Sequence, residues 1–208
     1  MLSILVANIK GGCGKTTLAT NIAGHFAAQG HRTVLADADR QHSSLGWLLR
    51  RPSRLPAIVG RDWSRELDDL PKGTARLVID APAALKAKQV EELLRLADMI
   101  VLPVLPSAFD EAATLKFLAR IEEMKAIRKQ RAEVAIVGNR LRPRTRAADR
   151  LDQFLAEQGR RVVARLRDSQ AYPEGAAAGT TLFDLKGAKV RPLLEDWQPL
   201  TARIDAAG

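Results

Sequence analysis

A glycine-rich loop near the N-terminus restricts the possible folds of this chain more than any other feature. An apolar run at residues 2–7 leads almost directly into Lys10-Gly11-Gly12-Cys13-Gly14-Lys15-Thr16-Thr17, and a helical pattern follows. Glycines let the backbone curl so that several N–H groups point at one anion, and the positive end of the following helix adds to the attraction. A strand, a glycine loop and a helix in this order predict a phosphate-binding site.

The rest of the chain alternates short aliphatic runs with longer helical patterns, which is typical of a parallel sheet with crossover helices. We expect an α/β fold with three layers, in which helices flank a mostly parallel central sheet, and one domain over residues 1–208. Residues 50–73, rich in proline and glycine, are predicted to be irregular. The predicted strands are residues 2–7, 33–37, 76–80, 99–104, 134–138 and 161–166, and the predicted helices are 16–29, 89–96, 111–129 and 146–158.

Within the loop, each residue type has a chemical use. Lys15 supplies a positive charge to the β- and γ-phosphates, the Thr16 hydroxyl suits Mg²⁺, and Thr17 is placed to bond the α-phosphate. Cys13 is interpreted as a packing residue under the phosphates, with a reactive thiol as the alternative. The ordinary P-loop pattern fails at Ile9, where glycine is required, and a second lysine, Lys10, opens the loop instead.

With Lys10 and Lys15 in these positions, the chain resembles the deviant Walker A ATPases, which include ParA-type partition proteins, MinD and the nitrogenase iron protein. The resemblance implies ATP and Mg²⁺ as ligands, and a homodimer that closes on ATP. In that dimer Lys15 acts within its own subunit and Lys10 reaches the partner's phosphates, in a role like that of an arginine finger.

Three aspartates stand at the carboxyl ends of predicted strands, the edge at which open α/β sheets bind ligands. The segment Asp37-Ala38-Asp39-Arg40-Gln41 resembles the family's Asp-x-Asp-Pro-Gln, with Arg40 where proline is usual. The resemblance implies that Asp39 orients or deprotonates the attacking water, that Asp37 supports the magnesium shell, and that Asp80 is the Walker B acid. Ala84 stands where relatives often carry glycine or serine.

Later segments extend the resemblance over nearly the whole chain. Residues 103–110 resemble a Pro-x-x-Pro-Ser segment of the ATP-bound dimer, Asn139 is the candidate for adenine recognition, and residues 169–174 and 178–183 resemble a loop over the nucleotide. For Tyr172 and Phe183, core packing is the preferred interpretation. The single cysteine excludes the iron protein, and the C-terminal segment lacks the cationic face of a membrane-binding helix. A loop that opens at residue 10 leaves no room for a preceding helix-turn-helix, so the small ParA type is expected.

A basic stretch at residues 125–167 holds thirteen lysines or arginines and four acids, a net charge of +9 that equals the charge of the whole chain. It has little aromatic interleaving, which favours phosphate contacts on duplex DNA without sequence readout; the alternative is a solvated arginine-rich surface. The candidate DNA contacts are Arg140, Arg142, Arg144, Arg146, Arg165 and Arg167.

The sequence therefore predicts a cytoplasmic, nucleoid-associated ATPase with weak intrinsic activity. We expect it to dimerise on ATP, bind double-stranded DNA non-specifically, and hydrolyse ATP when a ParB-like cargo adaptor stimulates it. Two alternatives remain open at this stage. One is a MinD-like regulator at a membrane surface, and the other is a metabolic P-loop ligase that uses ATP to activate a small substrate.

Overall fold

The strands of the chain form one parallel sheet. The computed structural model describes residues 1–83, 87–128, 132–142 and 145–208. Within these ranges, seven strands lie in the order β3-β2-β4-β1-β5-β6-β7, and every neighbouring pair is parallel. Their bounds are β1 Leu2–Val6, β2 Thr33–Asp37, β3 Ile58–Asp62, β4 Arg76–Asp80, β5 Met99–Val104, β6 Glu133–Leu141 and β7 Val162–Arg167.

Helices cover both faces of this sheet. One buried cluster joins Ile4 and Val6 of β1 to aromatic side chains such as Phe26 and Trp197, while the next residue of the strand, Leu5, packs into the opposite cluster. Successive residues of a strand point to opposite faces, so the same strand serves both cores. The three-layer α/β class predicted from the sequence is confirmed. The helices are α1 Lys15–Ala28, α2 Ser43–Leu49, α3 Ala87–Leu96, α4 Ala108–Arg128, α5 Arg146–Glu157, α6 Ala171–Ala178 and α7 Arg191–Ala206, with a 3-10 turn at Leu182–Asp184.

The prediction that residues 50–73 are irregular was wrong, because this stretch contains the edge strand β3. Its burial alternates only weakly, with Ile58 buried and Val59 exposed, and Gly60 interrupts its β-branched pattern. A Cβ at Gly60 would lie 2.8 and 2.9 Å from the side chains of Leu45 and Leu48. The close approach of α2 therefore requires glycine at position 60. The same glycine interrupts the sequence pattern by which the strand could have been predicted.

Other predicted boundaries agree with the structure to within a few residues. Gly30 and Gly159 directly follow the C-caps of α1 and α5 and have φ values of +84° and +66°, the left-handed region that favours glycine. Ala84 and Arg144, which the sequence analysis named, lie outside the described residues, as do Lys129 and Arg131 of the basic stretch. None of the helices in the described ranges combines the length and the apolar character needed to cross a bilayer.

Candidate functional site

The glycine loop has a backbone that other residues could not easily adopt. Gly12 and Gly14 have φ values of +75° and +98°. A Cβ at Gly14 would also lie 2.2 Å from the Asn139 side-chain nitrogen, whereas a Cβ at Gly12 would meet nothing within 4 Å. That Asn139 nitrogen donates a hydrogen bond of 2.8 Å to the Cys13 carbonyl. Asn139 thus holds the loop from the side of β6.

Asn139 was predicted from the family resemblance to recognise adenine. The structure gives its amide nitrogen a second role, because that nitrogen already binds the loop backbone and the side chain is 4% exposed. Asn139 nevertheless borders a cavity of about 360 Å³, called here the smaller cavity. The smaller cavity is lined by Thr17, Asn139, Arg140, Asp168, Ser169, Gln170, Tyr172, Pro173 and Ala176.

Asn8 anchors the other end of the loop and was missed in the sequence. Its side chain is fully buried, donates to the Pro103 carbonyl at 2.8 Å and accepts from the Lys10 N–H at 3.1 Å. The sequence signal was a single asparagine between an apolar strand and a glycine loop. A buried amide needs such partners, so Asn8 ties the start of the loop to the end of β5.

The two lysines of the loop differ in their surroundings. Lys15 is 8% exposed, and its ammonium group donates a hydrogen bond of 3.0 Å to the Lys10 carbonyl, across the loop. The Lys10 side chain is half-buried and makes no hydrogen bond or ion pair with the residues that the structure describes. Cys13 is fully buried, as the packing interpretation predicted; burial raises the pKa of its thiol, and the nearby Lys15 partly offsets that rise.

The parallel register brings Asp37 and Asp80 side by side at the carboxyl ends of β2 and β4, with Val6 of β1 at the same level. The Asp37 carboxylate is fully buried and accepts three backbone N–H bonds, from Asp39 at 3.0 Å, Ser44 at 2.9 Å and Leu45 at 3.1 Å. Asp37 therefore caps helix α2. This cap adds a structural role to the magnesium-shell role that the resemblance implied.

Asp80 has the opposite environment. Its side chain is 1% exposed, and neither carboxylate oxygen has a hydrogen-bond partner in the described part of the chain. Burial raises the pKa of Asp80 to about 7, and the charge of Asp37 adds to the rise. The Thr16 and Ser44 hydroxyls and the Lys15 ammonium lie near enough to lower it, although neither hydroxyl reaches Asp80 with full hydrogen-bond geometry.

These unpaired groups fit a magnesium ion. A buried carboxylate without donors is costly unless a cation or a proton compensates it. The nearby Ser44 hydroxyl is also buried and has no hydrogen-bond partner in the part of the chain that the structure describes. Mg²⁺ binds to oxygen ligands and keeps several waters. Asp80, Thr16 and Ser44 supply oxygens at one end of the glycine loop, so the residues present suit a hydrated magnesium ion.

Asp39 faces the open side of the site. It is half-buried, and one of its carboxylate oxygens accepts the Gln41 N–H at 3.0 Å. It borders a cavity of about 830 Å³, called here the larger cavity. The larger cavity is lined by Ala38, Asp39, Arg40, Gln41, Ser64, Arg65, Glu66, Leu67, Pro82, Ala83, Gln89 and Glu92. Asp39 thus lies on the wall of a cavity that is large enough to admit water.

The aromatic residues of the late segment have structural contacts. Tyr172 accepts a hydrogen bond of 3.0 Å from the Trp197 indole nitrogen, and burial raises its pKa to about 12. Phe183 packs between His25 and Trp197, with ring centroids 4.9 and 5.7 Å away. Core packing was the preferred interpretation of both residues, and Tyr172 in addition borders the smaller cavity.

The candidate DNA contacts fall into two groups. Arg165 pairs with Asp152 at 2.9 Å, and Arg167 makes a bidentate pair with Asp196 at 2.6 and 2.7 Å. These two guanidinium groups are therefore engaged within the chain and are less suited to bind phosphates. Arg140, Arg142 and Arg146 are exposed and have no ion pair among the described residues, and Arg144 lies outside them.

The comparison with known proteins agrees with this geometry. The profile of the CobQ/CobB/MinD/ParA nucleotide binding domain matches residues 4–182. The chain belongs to this family. Two relatives named "Maintenance of carboxysome distribution protein A" are each 28% identical: the Gloeobacter kilaueensis protein, with 97% of this chain and 93% of the relative covered, and the Halothiobacillus neapolitanus protein, with 93% and 92% covered.

A solved structure shares the fold. The ATP complex of a Cyanothece McdA variant superposes with a TM-score of 0.75 at 16% identity, and the match covers 97% of this chain and 96% of that one. At this identity the likeness concerns the fold. The CobQ/CobB/MinD/ParA assignment rests on the profile match and is consistent with the glycine loop, Asp37 and Asp80.

Proposed function

We propose that this CobQ/CobB/MinD/ParA family protein is a positioning ATPase of the ParA type, built as one domain over residues 1–208. The observation that carries the proposal is Asp80, which is 1% exposed and lies beside the glycine loop, and whose carboxylate has no hydrogen-bond donor among the described residues. Asp80 and Thr16 would hold a magnesium ion, which would supply positive charge against the negative charge that develops during phosphoryl transfer. The protein residues supply the rest of the chemistry.

In this proposal Lys15 turns from the Lys10 carbonyl to the β- and γ-phosphates, and the loop amides of Gly11, Gly12, Cys13 and Gly14 bind phosphate oxygens. Thr16 and Asp80, with Asp37 close by, hold the hydrated metal, and Thr17 bonds the α-phosphate. Asp39 orients the attacking water or accepts its proton. Exchange of one weak internal bond of Lys15 for phosphate contacts requires little rearrangement, since only the side chain moves.

Lys10 supports an ATP-dependent homodimer. Lys10 is half-buried and its ammonium group has no partner among the described residues, so it is available to the phosphates of a second subunit.

Dimerisation and hydrolysis are tested together by light scattering and phosphate release with MgATP. We expect ATP to convert monomers to dimers, Lys15→Ala to abolish both binding and dimerisation, and Asp39→Ala to give ATP-bound dimers that hydrolyse poorly. Dimers of the same size without nucleotide would contradict this scheme.

Non-specific binding of double-stranded DNA is proposed for the dimer, with Arg140, Arg142 and Arg146 as the described contacts. These arginines are exposed and have no described ion pair, and a dimer presents the set twice, which raises avidity. Filter binding with ATP and with ADP tests the link to nucleotide state. Equal affinity in the two states would refute it.

The cargo is proposed to be a protein assembly, because the two curated relatives are maintenance proteins of carboxysome distribution. A cargo-bound adaptor, comparable in role to ParB, would stimulate slow hydrolysis and release the dimer from the nucleoid. ATP turnover measured with and without a candidate adaptor tests this step. Turnover that depends instead on a small organic substrate would indicate a ligase.

A further inference from the structure

Helix α2 connects the two ends of the proposed site. At its first turn, the Asp37 carboxylate accepts the N–H groups of Ser44 and Leu45. At its last turn, α2 reaches the segment after β7 that borders the smaller cavity. A short helix fixed at both ends can transmit a displacement from one end to the other because it moves as a unit.

Helix α6 forms one wall of the smaller cavity through Tyr172, Pro173 and Ala176. The Arg50 guanidinium donates to the Ala176 carbonyl at 3.2 and 3.4 Å, and the Trp47 indole donates to the Thr180 carbonyl at 3.4 Å. All three contacts come from α2 or the residue directly after it. They join the end of α6 to the end of α2.

The two segments approach so closely that only glycine fits between them. Gly179 ends α6 with a φ of +67°, and a Cβ there would lie 2.4 Å from the Arg50 carbonyl carbon and 2.4 Å from the Arg51 amide nitrogen. Because the backbones at Gly179 and Arg51 are in contact, a shift of Arg51 would also shift the end of α6.

A buried ion pair lies at this junction. The Arg51 and Asp184 side chains are 5% and 2% exposed, and their two parallel bonds measure 2.8 and 2.9 Å. Arg51 also donates to the Gly179 carbonyl at 3.3 Å and lies 5.4 Å from the centre of the Trp47 ring. Asp184 accepts further bonds of 2.8 Å from the Thr181 N–H and hydroxyl.

The chemistry of the pair is that of a rigid clamp. Burial raises the pKa of Asp184, but hydrogen bonds from Arg51 and Thr181 outweigh burial and leave it below the ordinary value. The Asp184 carboxyl thus remains ionised at neutral pH, opposite the Arg51 guanidinium. A planar guanidinium that binds a carboxylate through two bonds fixes orientation as well as distance, which a single flexible ammonium does not.

We infer that the Arg51–Asp184 ion pair is a positioning element that clamps α6 to α2 and so sets the shape of the nucleoside end of the site. The inference rests on the proposed function. It also assigns the nucleoside of ATP to the smaller cavity, because that cavity is bordered by Thr17 of the phosphate site and by Asn139, the candidate for adenine recognition. Arg51 and Asp184 touch neither the phosphates nor the reacting water. They act through the Gly179 carbonyl, which accepts from Arg51, and through Thr181, which donates to Asp184.

The test separates the nucleoside from the phosphates. We would compare the wild type with Arg51→Lys and Asp184→Asn, using Arg191→Gln as control, because Arg191 forms an exposed i,i+4 pair with Glu195. The probes are MgATP and magnesium tripolyphosphate, which has phosphates but no nucleoside. Hydrogen exchange of the α6 amides without nucleotide gives a second readout that does not depend on binding.

We expect either clamp variant to lose roughly tenfold in MgATP affinity and to keep its tripolyphosphate affinity within about twofold. The α6 amides should exchange roughly tenfold faster in both variants, and the Arg191→Gln control should match the wild type. Unchanged exchange of α6 in a folded variant would overturn the inference, as would equal losses for the two probes.

The remaining outcomes are also decisive. Unfolding of both clamp variants would overturn the inference, because the pair would then support the whole fold rather than the position of α6. A wild-type protein that binds neither probe would refute the proposed function. Even then, the exchange rates of α6 would show whether Arg51 and Asp184 hold this helix.

Discussion

Replacement of Asp80 by asparagine should stabilise the nucleotide-free protein while it removes magnesium-dependent binding. The pKa of Asp80 is raised from 3.8 to about 7 in the folded state, chiefly by burial. Below pH 4 the group is protonated in both the folded and the unfolded state, so it has little effect. As the pH rises to 7, the unfolded state ionises first and the folded protein loses stability.

The magnitude follows from the size of the shift. About 3 pKa units at about 1.4 kcal/mol per unit give a penalty of about 4 kcal/mol above pH 7, as an order of magnitude. Asparagine has nearly the same shape and stays neutral, much like the protonated acid. We therefore expect Asp80→Asn to raise the free energy of unfolding by about 2 to 4 kcal/mol at pH 8 and by very little at pH 4.

The assay is urea denaturation at pH 4, 6 and 8, followed by the fluorescence of the buried tryptophans, among them Trp47 and Trp197. Asp68→Asn is the control, since Asp68 is exposed. A second series with MgATP should stabilise the wild type at pH 8 and leave Asp80→Asn unchanged. The reasoning is refuted if Asp80→Asn is destabilised at pH 8, or if its effect does not vary with pH.

Three further predictions concern the loop and the basic surface. Gly14→Ala should weaken ATP binding far more than Gly12→Ala in calorimetry, because both substitutions strain a positive φ but only the first displaces Asn139; equal losses would contradict this reason. Arg142→Gln combined with Arg146→Gln removes four arginines from each dimer, so the slope of log K against log salt for duplex DNA should become shallower by about 4; an unchanged slope would remove both arginines from the interface. Arg167→Gln should leave that slope unchanged but lower the melting temperature, because Asp196 loses its bidentate partner; a reduced slope would return Arg167 to the DNA surface.

The fold class could be predicted because its signals are local. Continuous apolar runs such as β1, β2 and β5 mark strands buried on both faces, and their burial is complete in the structure. The edge strand β3 carries no such signal, since one of its edges and part of its surface face solvent. Its existence depends on the pairing of Ile58–Asp62 with β2, which a local pattern does not contain.

In the candidate site, too, local features could be predicted from the sequence and contacts between distant residues could not. The glycines and Lys15 of the loop act together within a few residues, so their spacing alone predicts a phosphate cradle. Asn8 and the Arg51–Asp184 pair act through partners far away in sequence: 95 residues separate Asn8 from Pro103, and 133 separate Arg51 from Asp184. Such partners become visible only when the fold brings them together. The ion pairs of Arg165 and Arg167 were missed for this reason.

Asp37 and Asp80 are neighbours on adjacent strands, but their surroundings give them different roles. The two carboxylates occupy paired positions on adjacent strands and are both buried, so neither sequence spacing nor burial separates their roles. Hydrogen-bond donors do separate them. Three backbone N–H groups offset the charge of Asp37 and hold it at the start of α2. Asp80 has no donor within the described ranges and needs a proton or a cation. A metal ion at this edge should therefore bind through Asp80. The bound cation would also attract the adjacent Asp37 carboxylate, and this attraction would act on α2 because Asp37 holds its first turn.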